Sequence, residues 1–186
     1  MNRFILMTFF LLVTATLTGQ HINKEIKIEN QQPFLVGQID VAGLSTNTYK
    51  SWYTRNHETY KVNTAVLKPL KDKLAEYKIL VFMGTWCGDS KREVPRFIKI
   101  LEAANFPMEN LKIVALDHRK GVYKKSPTGE EWGLRIKRVP TFIFYKNGKE
   151  TNRIIESPKA TLEEDIKAII TNVEYIPNYP KSLYFD

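Results

Sequence analysis

The sequence is short of the residues that hold many small proteins together. It contains one cysteine, Cys87, and three histidines among 186 residues. One cysteine cannot form a disulfide within the chain, and one cysteine with three scattered histidines offers no close set of metal ligands. The thiol is therefore free, reactive or paired with another molecule, and we expect neither a metal site nor a bound cofactor.

Other absences narrow the possible functions. The sequence has no glycine-rich loop that would cradle phosphate groups and no serine elbow of the kind that carries a hydrolase nucleophile. Its net charge of +8 comes from lysines scattered among acids and turn residues. Such scattering indicates a solvated basic surface rather than a nucleic-acid interface, so we expect no nucleic-acid partner.

The first 20 residues differ in composition from the rest. Arg3 is followed by a mostly apolar segment, residues 4–13, and then by small and polar residues up to Gln20. A positive start, a short apolar centre and a small-residue exit are typical of a secretory signal peptide. An uncleaved membrane anchor is the alternative, although the segment is short for a bilayer span. We expect export to the periplasm or cell envelope, with no stable membrane span after cleavage.

The apolar pattern after residue 60 predicts an α/β fold with a central mixed β-sheet flanked by helices on both faces. Two continuous apolar runs have the character of buried strands, and an Asn147-Gly148 turn indicates a hairpin. Thr161, with Glu164 three residues on, caps a final amphipathic helix, whereas Pro69 weakens an earlier one. The predicted elements are a helix at 63–77, strands at 78–84 and 111–117, a helix within 85–106, a loop with a short helix at 118–136, a hairpin from 141 and a helix at 161–173.

Residues before 60 carry weaker signals. The alternating segment 34–45 favours a short strand or extended arm, and the aromatic and polar mixture that follows has no assigned structure. We therefore divide the chain into a signal peptide at 1–20, an N-terminal extension at 21–59, the main domain at 60–173 and a C-terminal tail at 174–186.

Three motifs of the main domain resemble the thioredoxin-like superfamily. Trp86-Cys87-Gly88-Asp89-Ser90 resembles its Trp-Cys-Gly-X-Cys active site, Val139-Pro140-Thr141 resembles its cis-proline loop, and Asn147-Gly148 resembles its hairpin turn. The resemblance spans about residues 60–173 and implies the thioredoxin-like fold. It also implies that Cys87, Ser90 and Pro140 form the catalytic site, and that a docked disulfide substrate contacts Trp86, Gly88, Val139 and Thr141.

Two departures from the family pattern change the expected chemistry. Ser90 replaces the second cysteine, which in a dithiol site releases the substrate. Val81 stands where the family often has a buried carboxylate. A helix N-terminus at Cys87 would stabilise its thiolate, and we expect Ser90 to donate a hydrogen bond to that sulfur.

The sequence therefore predicts a monothiol protein that exchanges disulfides through Cys87 with protein or small-molecule thiols and disulfides. A binding module that keeps the fold without redox turnover is the alternative, and a covalent homodimer through Cys87 is a third. The oligomeric state stays open. His118 follows a predicted strand and is a candidate proton carrier, although an exposed loop histidine is the favoured interpretation.

Overall fold

A six-stranded mixed sheet organises the described part of the chain. The computed structural model describes residues 22–179. Only β3 and β4 pair in parallel, while the other neighbouring strands are antiparallel. The predicted mixed sheet with flanking helices is confirmed. The strands lie in the order β1-β2-β4-β3-β5-β6, with bounds β1 (Lys24–Ile26), β2 (Phe34–Ile39), β3 (Lys78–Met83), β4 (Leu111–Ala115), β5 (Thr141–Lys146) and β6 (Lys149–Ile155).

Residues 22–179 contain six α-helices, of which five lie between strands and the last follows β6. The Asn63 side chain accepts a hydrogen bond from Val66 N, and that of Thr161 from Glu164 N. Pro69 lies in a short 3₁₀ turn, because proline has no N–H with which to continue an α-helix. The helices are α1 (Val41–Leu44), α2 (Asn47–Thr59), α3 (Thr64–Leu67), α4 (Lys71–Ala75), α5 (Gly88–Ala103) and α6 (Leu162–Ile170), with 3₁₀ turns at Lys68–Leu70 and Met108–Asn110.

One face of the sheet packs against these helices. Alternate residues of β3, beginning with Ile79, point to this face, as the two-residue period of a strand requires. The resulting helix-side core includes Tyr49, Trp52 and Tyr53 of α2, Val94, Phe97, Ile98 and Leu101 of α5, Leu162, Ile166, Ile169 and Ile170 of α6, and Ile79, Val81, Met83, Ile113, Ala115, Phe142, Phe144 and Ile154 of the sheet.

The other face packs against a loop. Its buried cluster, the loop-side core, consists of Phe82, Val114, Leu116, Ile136, Val139 and Ile143. The β4–β5 loop, residues 116–140, covers it with turns and bends, and no helix lies between β4 and β5. The short helix predicted within 118–136 is therefore wrong, and we find a loop where helices were expected on this face. Buried polar side chains hold the loop instead, as when Glu131 accepts a hydrogen bond from Ser126 N.

Residues 22–59 build part of the same sheet and core. The predicted strand in 34–45 is present as β2, which pairs with β4 through Gly37–Ala115 and Ile39–Ile113. No structure was predicted for the residues that form α2, although Tyr49, Trp52 and Tyr53 follow helical spacing and are all buried. The signal peptide lies outside the described residues, and the domain boundaries stay predictions.

Candidate active site

Cys87 lies where β3 gives way to α5. Its N–H donates to Gly84 O at 2.9 Å, and its carbonyl accepts the first α5 hydrogen bond, from Lys91 N, at 3.0 Å. Its extended φ of −89° and ψ of 129° make it the N-cap of α5, and no side chain caps that helix end. The thiol is half-buried. Unpaired N–H groups of the first turn therefore face the region of the sulfur, as a thiolate would require.

The cis-proline loop lies against the thiol. The Val139-Pro140 peptide bond is cis. Cys87 Sγ donates a hydrogen bond to Val139 O at 3.3 Å. Thr141 fixes the loop by donating from its hydroxyl to Arg138 O at 2.7 Å. Among the described residues, the backbone N–H of Val139 has no acceptor.

Ser90 does not make the predicted contact. Its side chain is fully buried, and its hydroxyl oxygen accepts a hydrogen bond from Gly84 N at 3.1 Å. No hydrogen bond joins Ser90 to Cys87 in residues 22–179, so the expected support of the sulfur by this hydroxyl is wrong. The reason is geometric: the serine lies beneath the turn that follows β3 and satisfies a buried backbone donor there.

Trp86 forms one wall beside the sulfur. Its indole Nε1 donates to Leu116 O at 2.8 Å, and its half-buried ring packs on the loop-side core. A Cβ at Gly84 would lie 2.5 Å from the Trp86 ring, so glycine makes room for the indole. The Tyr123 ring lies 5.6 Å from the Trp86 ring, an aromatic partner that sequence patterns did not reveal.

His118 belongs to this aromatic group. Its ring centroid lies 5.8 Å from that of Trp86 and 4.2 Å from that of Phe34. It is half-buried rather than an exposed loop histidine, and no hydrogen bond is made by its imidazole among residues 22–179. The imidazole therefore packs behind the indole, and the structure does not bring it into contact with the thiol.

The charged residues after the motif pair with one another. Arg92 donates to Glu93 at 2.6 Å and to Asp89 at 2.7 Å. The hydrogen bond that Arg92 donates to Glu93, together with the one it donates to Asp89, outweighs the effect of burial and raises the pKa of Arg92 above its ordinary value. Arg92 is thus committed to carboxylates and does not contact Cys87. Gly88 is exposed, and a Cβ placed there would meet no heavy atom within 4 Å, which leaves open space above the helix end.

No carboxylate lies beneath the thiol at the position that the family often uses. Val81 is 1% exposed and packs within the helix-side core. Residues 22–179 contain no cluster of three histidine, cysteine, aspartate or glutamate side chains suited to a metal ion. No helix in this range is long and apolar enough to cross a bilayer. The site is thus a partly exposed thiol, a helix end and a proline loop.

Together these features define an α/β protein with a cysteine at a helix N-terminus, facing a cis-proline loop. Residues 40–168 match the family model Thioredoxin_9, described as thioredoxin. The chain therefore belongs to the thioredoxin family, and this membership indicates a thiol–disulfide redox function with protein thiols as substrates.

Two thioredoxins agree with this assignment. The chain is 34% identical over 115 residues to thioredoxin H9 of Arabidopsis thaliana, which covers 59% of this chain and 75% of that protein. It is 31% identical over 116 residues to thioredoxin Asp f 29 of Aspergillus fumigatus, covering 61% and 96%. A crystal structure of a Pseudomonas aeruginosa protein of unknown function has a TM-score of 0.48 at 16% identity, covering 74% of this chain and 82% of that chain.

Proposed function

We propose that this chain is an exported monothiol member of the thioredoxin family that exchanges disulfides through Cys87. The observation that carries the proposal is the half-buried thiol at the α5 N-cap, 3.3 Å from Val139 O, with Ser90 rather than a second cysteine below it. Helix N-termini favour a thiolate, which is the nucleophile in disulfide exchange.

The first half of the exchange requires only Cys87. The thiolate attacks one sulfur of a substrate disulfide, the substrate S–S bond breaks, and a mixed disulfide forms while the second substrate sulfur leaves as a thiolate. The free Val139 N–H and the open space at Gly88 would hold a substrate backbone beside the sulfur. Pro140 and Thr141 would fix the loop that lies along this substrate backbone. The Trp86 ring would form the wall of the site beside the sulfur.

The second half requires another thiol. The Ser90 hydroxyl cannot attack a mixed disulfide as a thiolate does, and its oxygen is occupied by Gly84 N. A low-molecular-weight thiol or a thiol of the substrate must therefore displace Cys87. This arrangement suits disulfide isomerisation or capture of a partner better than net reduction.

Export is supported by the composition of residues 1–20, with Arg3 ahead of a short apolar segment. The proposal places the protein in the periplasm or cell envelope. Sequencing the N-terminus of the protein recovered from its native host tests this directly. A mature N-terminus near residue 20 supports export, whereas an intact Met1 in a soluble cell extract contradicts it.

Intact-mass spectrometry tests the chemistry. The protein is mixed with a peptide that contains one disulfide, and the adduct of one peptide arm is quantified over time. We expect the wild-type protein to accumulate the adduct and Cys87→Ser to form none. If the wild-type thiol remains free while the same peptide reacts with free cysteine, Cys87 is not a nucleophile and the proposal fails.

A further inference from the structure

In the β4–β5 loop, lysine side chains are exposed to solvent, whereas two of the three acidic side chains are buried. Lys120, Lys125 and Lys137 are exposed, and we refer to these three lysines of the loop as the basic loop face. Asp117 and Glu131 are only 3% and 9% exposed. Between 117 and 138 the basic residues are Arg119, Lys120, Lys124, Lys125, Arg135, Lys137 and Arg138, and the acidic residues are Asp117, Glu130 and Glu131.

The acids are held mainly by groups of the loop itself, and Glu130 also pairs with Lys112 of β4 at 3.6 Å. Burial raises the pKa of Asp117, but hydrogen bonds from the Arg119 side chain and backbone outweigh it and keep the pKa below its ordinary value. Glu131 accepts from Ser126 N at 3.0 Å. The Glu130 carboxylate accepts from the hydroxyls of Ser126 and Thr128. These carboxylates are therefore mostly shielded from solvent and already hydrogen-bonded.

The loop begins beside Trp86 and ends beside the Cys87 thiol. Its first carbonyl, Leu116 O, accepts from the Trp86 indole, and Val139 O near its end accepts from Cys87 Sγ. Lys124 joins the two arms, since its Nζ donates to Lys137 O and lies 5.0 Å from the Tyr123 ring centroid. The lysines of this face are thus carried by the segment that frames the site.

Acids on the other side of the site are paired. Asp89, two residues after Cys87, binds Arg92 at 2.7 Å. Glu156 binds Arg138 at 3.1 Å. Neither carboxylate offsets the lysines across the site, so an approaching substrate meets excess positive charge on the loop side.

We propose that Cys87 acts on disulfides carried by acidic polypeptide segments, which the basic loop face attracts and orients. This inference rests on the exchange function proposed above. The step itself balances: Cys87 forms a bond to one substrate sulfur, the substrate S–S bond breaks, and the other sulfur leaves and takes up the proton that Cys87 released. No outside oxidant or reductant takes part.

The physical basis is electrostatic steering. At about 0.1 M ionic strength charges interact over about 10 Å, and clustered charges of one sign raise association rates about tenfold or more. An acidic peptide should therefore form the mixed disulfide about tenfold faster than a basic peptide of the same length at low salt. The difference should shrink at high salt, because ions screen the lysines.

The experiment compares two disulfide peptides that differ only in flanking aspartates or lysines. Adduct formation is followed by intact mass for the wild-type protein, for Lys120→Glu/Lys137→Glu and for Lys78→Glu/Lys149→Glu. The last variant is the matched control. Lys78 begins β3 and Lys149 begins β6, at the end of the sheet opposite Cys87, and both are exposed.

The inference predicts that the loop variant loses or inverts the preference for the acidic peptide, while the control variant keeps it. Equal rates for both peptides with the wild-type protein, or the same loss in both variants, would overturn it. It would also be overturned if the loop variant lost binding only to vesicles of anionic phospholipid, with peptide rates unchanged. A small uncharged disulfide separates the two proposals: if it also fails to react, the exchange function itself is at fault.

Discussion

The two faces of the sheet are covered in different ways. Helices α2, α5 and α6 supply large apolar side chains to the helix-side core, whereas the loop-side core has six buried residues beneath an irregular loop. That loop is held by hydrogen bonds between its own backbone turns and by hydrogen bonds with buried polar side chains, such as the one that Arg153 donates to Leu134 O at 2.9 Å. The difference separates two tasks: the helix side supplies most of the apolar burial, and the loop side frames the thiol.

This division of tasks predicts that mutations on the two faces have different consequences. Changes in the helix-side core should mainly lower the free energy of unfolding. Changes around the loop should have smaller effects on stability and should act on the exchange reaction. The four variants below run from the largest expected effect to the smallest.

Phe97→Ala should have the largest effect on stability. Phe97 is fully buried, and its ring lies 4.4 Å from that of Phe142 and 6.1 Å from that of Phe144. Truncating a buried phenylalanine lowers the free energy of unfolding by about 3 to 5 kcal/mol, because the favourable transfer of the ring out of water is lost and a cavity is left behind. Urea denaturation measures this. A loss below about 1 kcal/mol would show that this face does not dominate stability.

Ser90→Ala should lower the free energy of unfolding by about 1 to 3 kcal/mol, because the buried N–H of Gly84 loses its acceptor. The rate of Cys87 alkylation at neutral pH should not change, since the serine does not bond to the sulfur. Iodoacetamide labelling provides this second readout. A clear fall in the labelling rate would restore the direct support of the thiolate that the sequence predicted.

Asp117→Asn should lower the free energy of unfolding at pH 7 by about 1 to 2 kcal/mol, because Arg119 and its backbone N–H lose a charged acceptor. Because the Arg119 side chain is partly exposed, we expect the loss of free energy of unfolding to lie at the lower end of this range. The pKa of Asp117 is lowered in the folded state, so its contribution is present above the unfolded value of about 3.9.

As pH falls through the folded pKa of Asp117, the wild-type protein loses this contribution. Urea midpoints of wild type and Asp117→Asn should therefore differ at pH 7 and converge at low pH. Asp72→Asn, at an exposed position of α4, is the control and should match the wild-type protein throughout. A difference that persists unchanged at low pH would mean that the Asp117 charge does not hold the loop.

Gly88→Ala should have the smallest effect on stability, within about 0.5 kcal/mol, since a Cβ meets no neighbouring atom. If Gly88 lies beneath a docked substrate backbone, the same methyl group should slow adduct formation with a peptide disulfide and leave a small disulfide unaffected. Equal slowing of both reactions would argue against close approach of a peptide at this position.

The sequence predicted most of the helix-side core because its elements have regular periods. The apolar runs of β3 and β4, the Thr161 cap and the Asn147-Gly148 turn, where both residues have positive φ, are confirmed. Helix α2 was missed because its apolar residues are aromatic and few, although Tyr49, Trp52 and Tyr53 keep helical spacing.

The loop and the finer geometry of the site could not be predicted in the same way. Hydrogen bonds from buried polar groups to loop backbone leave no periodic pattern, so the cover of the loop-side core was not foreseen. Cys87 Sγ donates to the carbonyl of Val139, the residue before Pro140, while the roles of Cys87 and Pro140 in catalysis stay predictions. The motif did not reveal that Ser90 faces Gly84 N or that Tyr123 and Phe34 belong to the aromatic group.

The central claim is that one sulfur captures a disulfide and cannot release it unaided. The most direct measurement is the lifetime of the purified Cys87–peptide adduct, without added thiol, in the wild-type protein and in Ser90→Cys. The account predicts a persistent wild-type adduct and rapid peptide release from Ser90→Cys, as its new thiol displaces Cys87. Equally fast release from the wild-type protein would contradict the account.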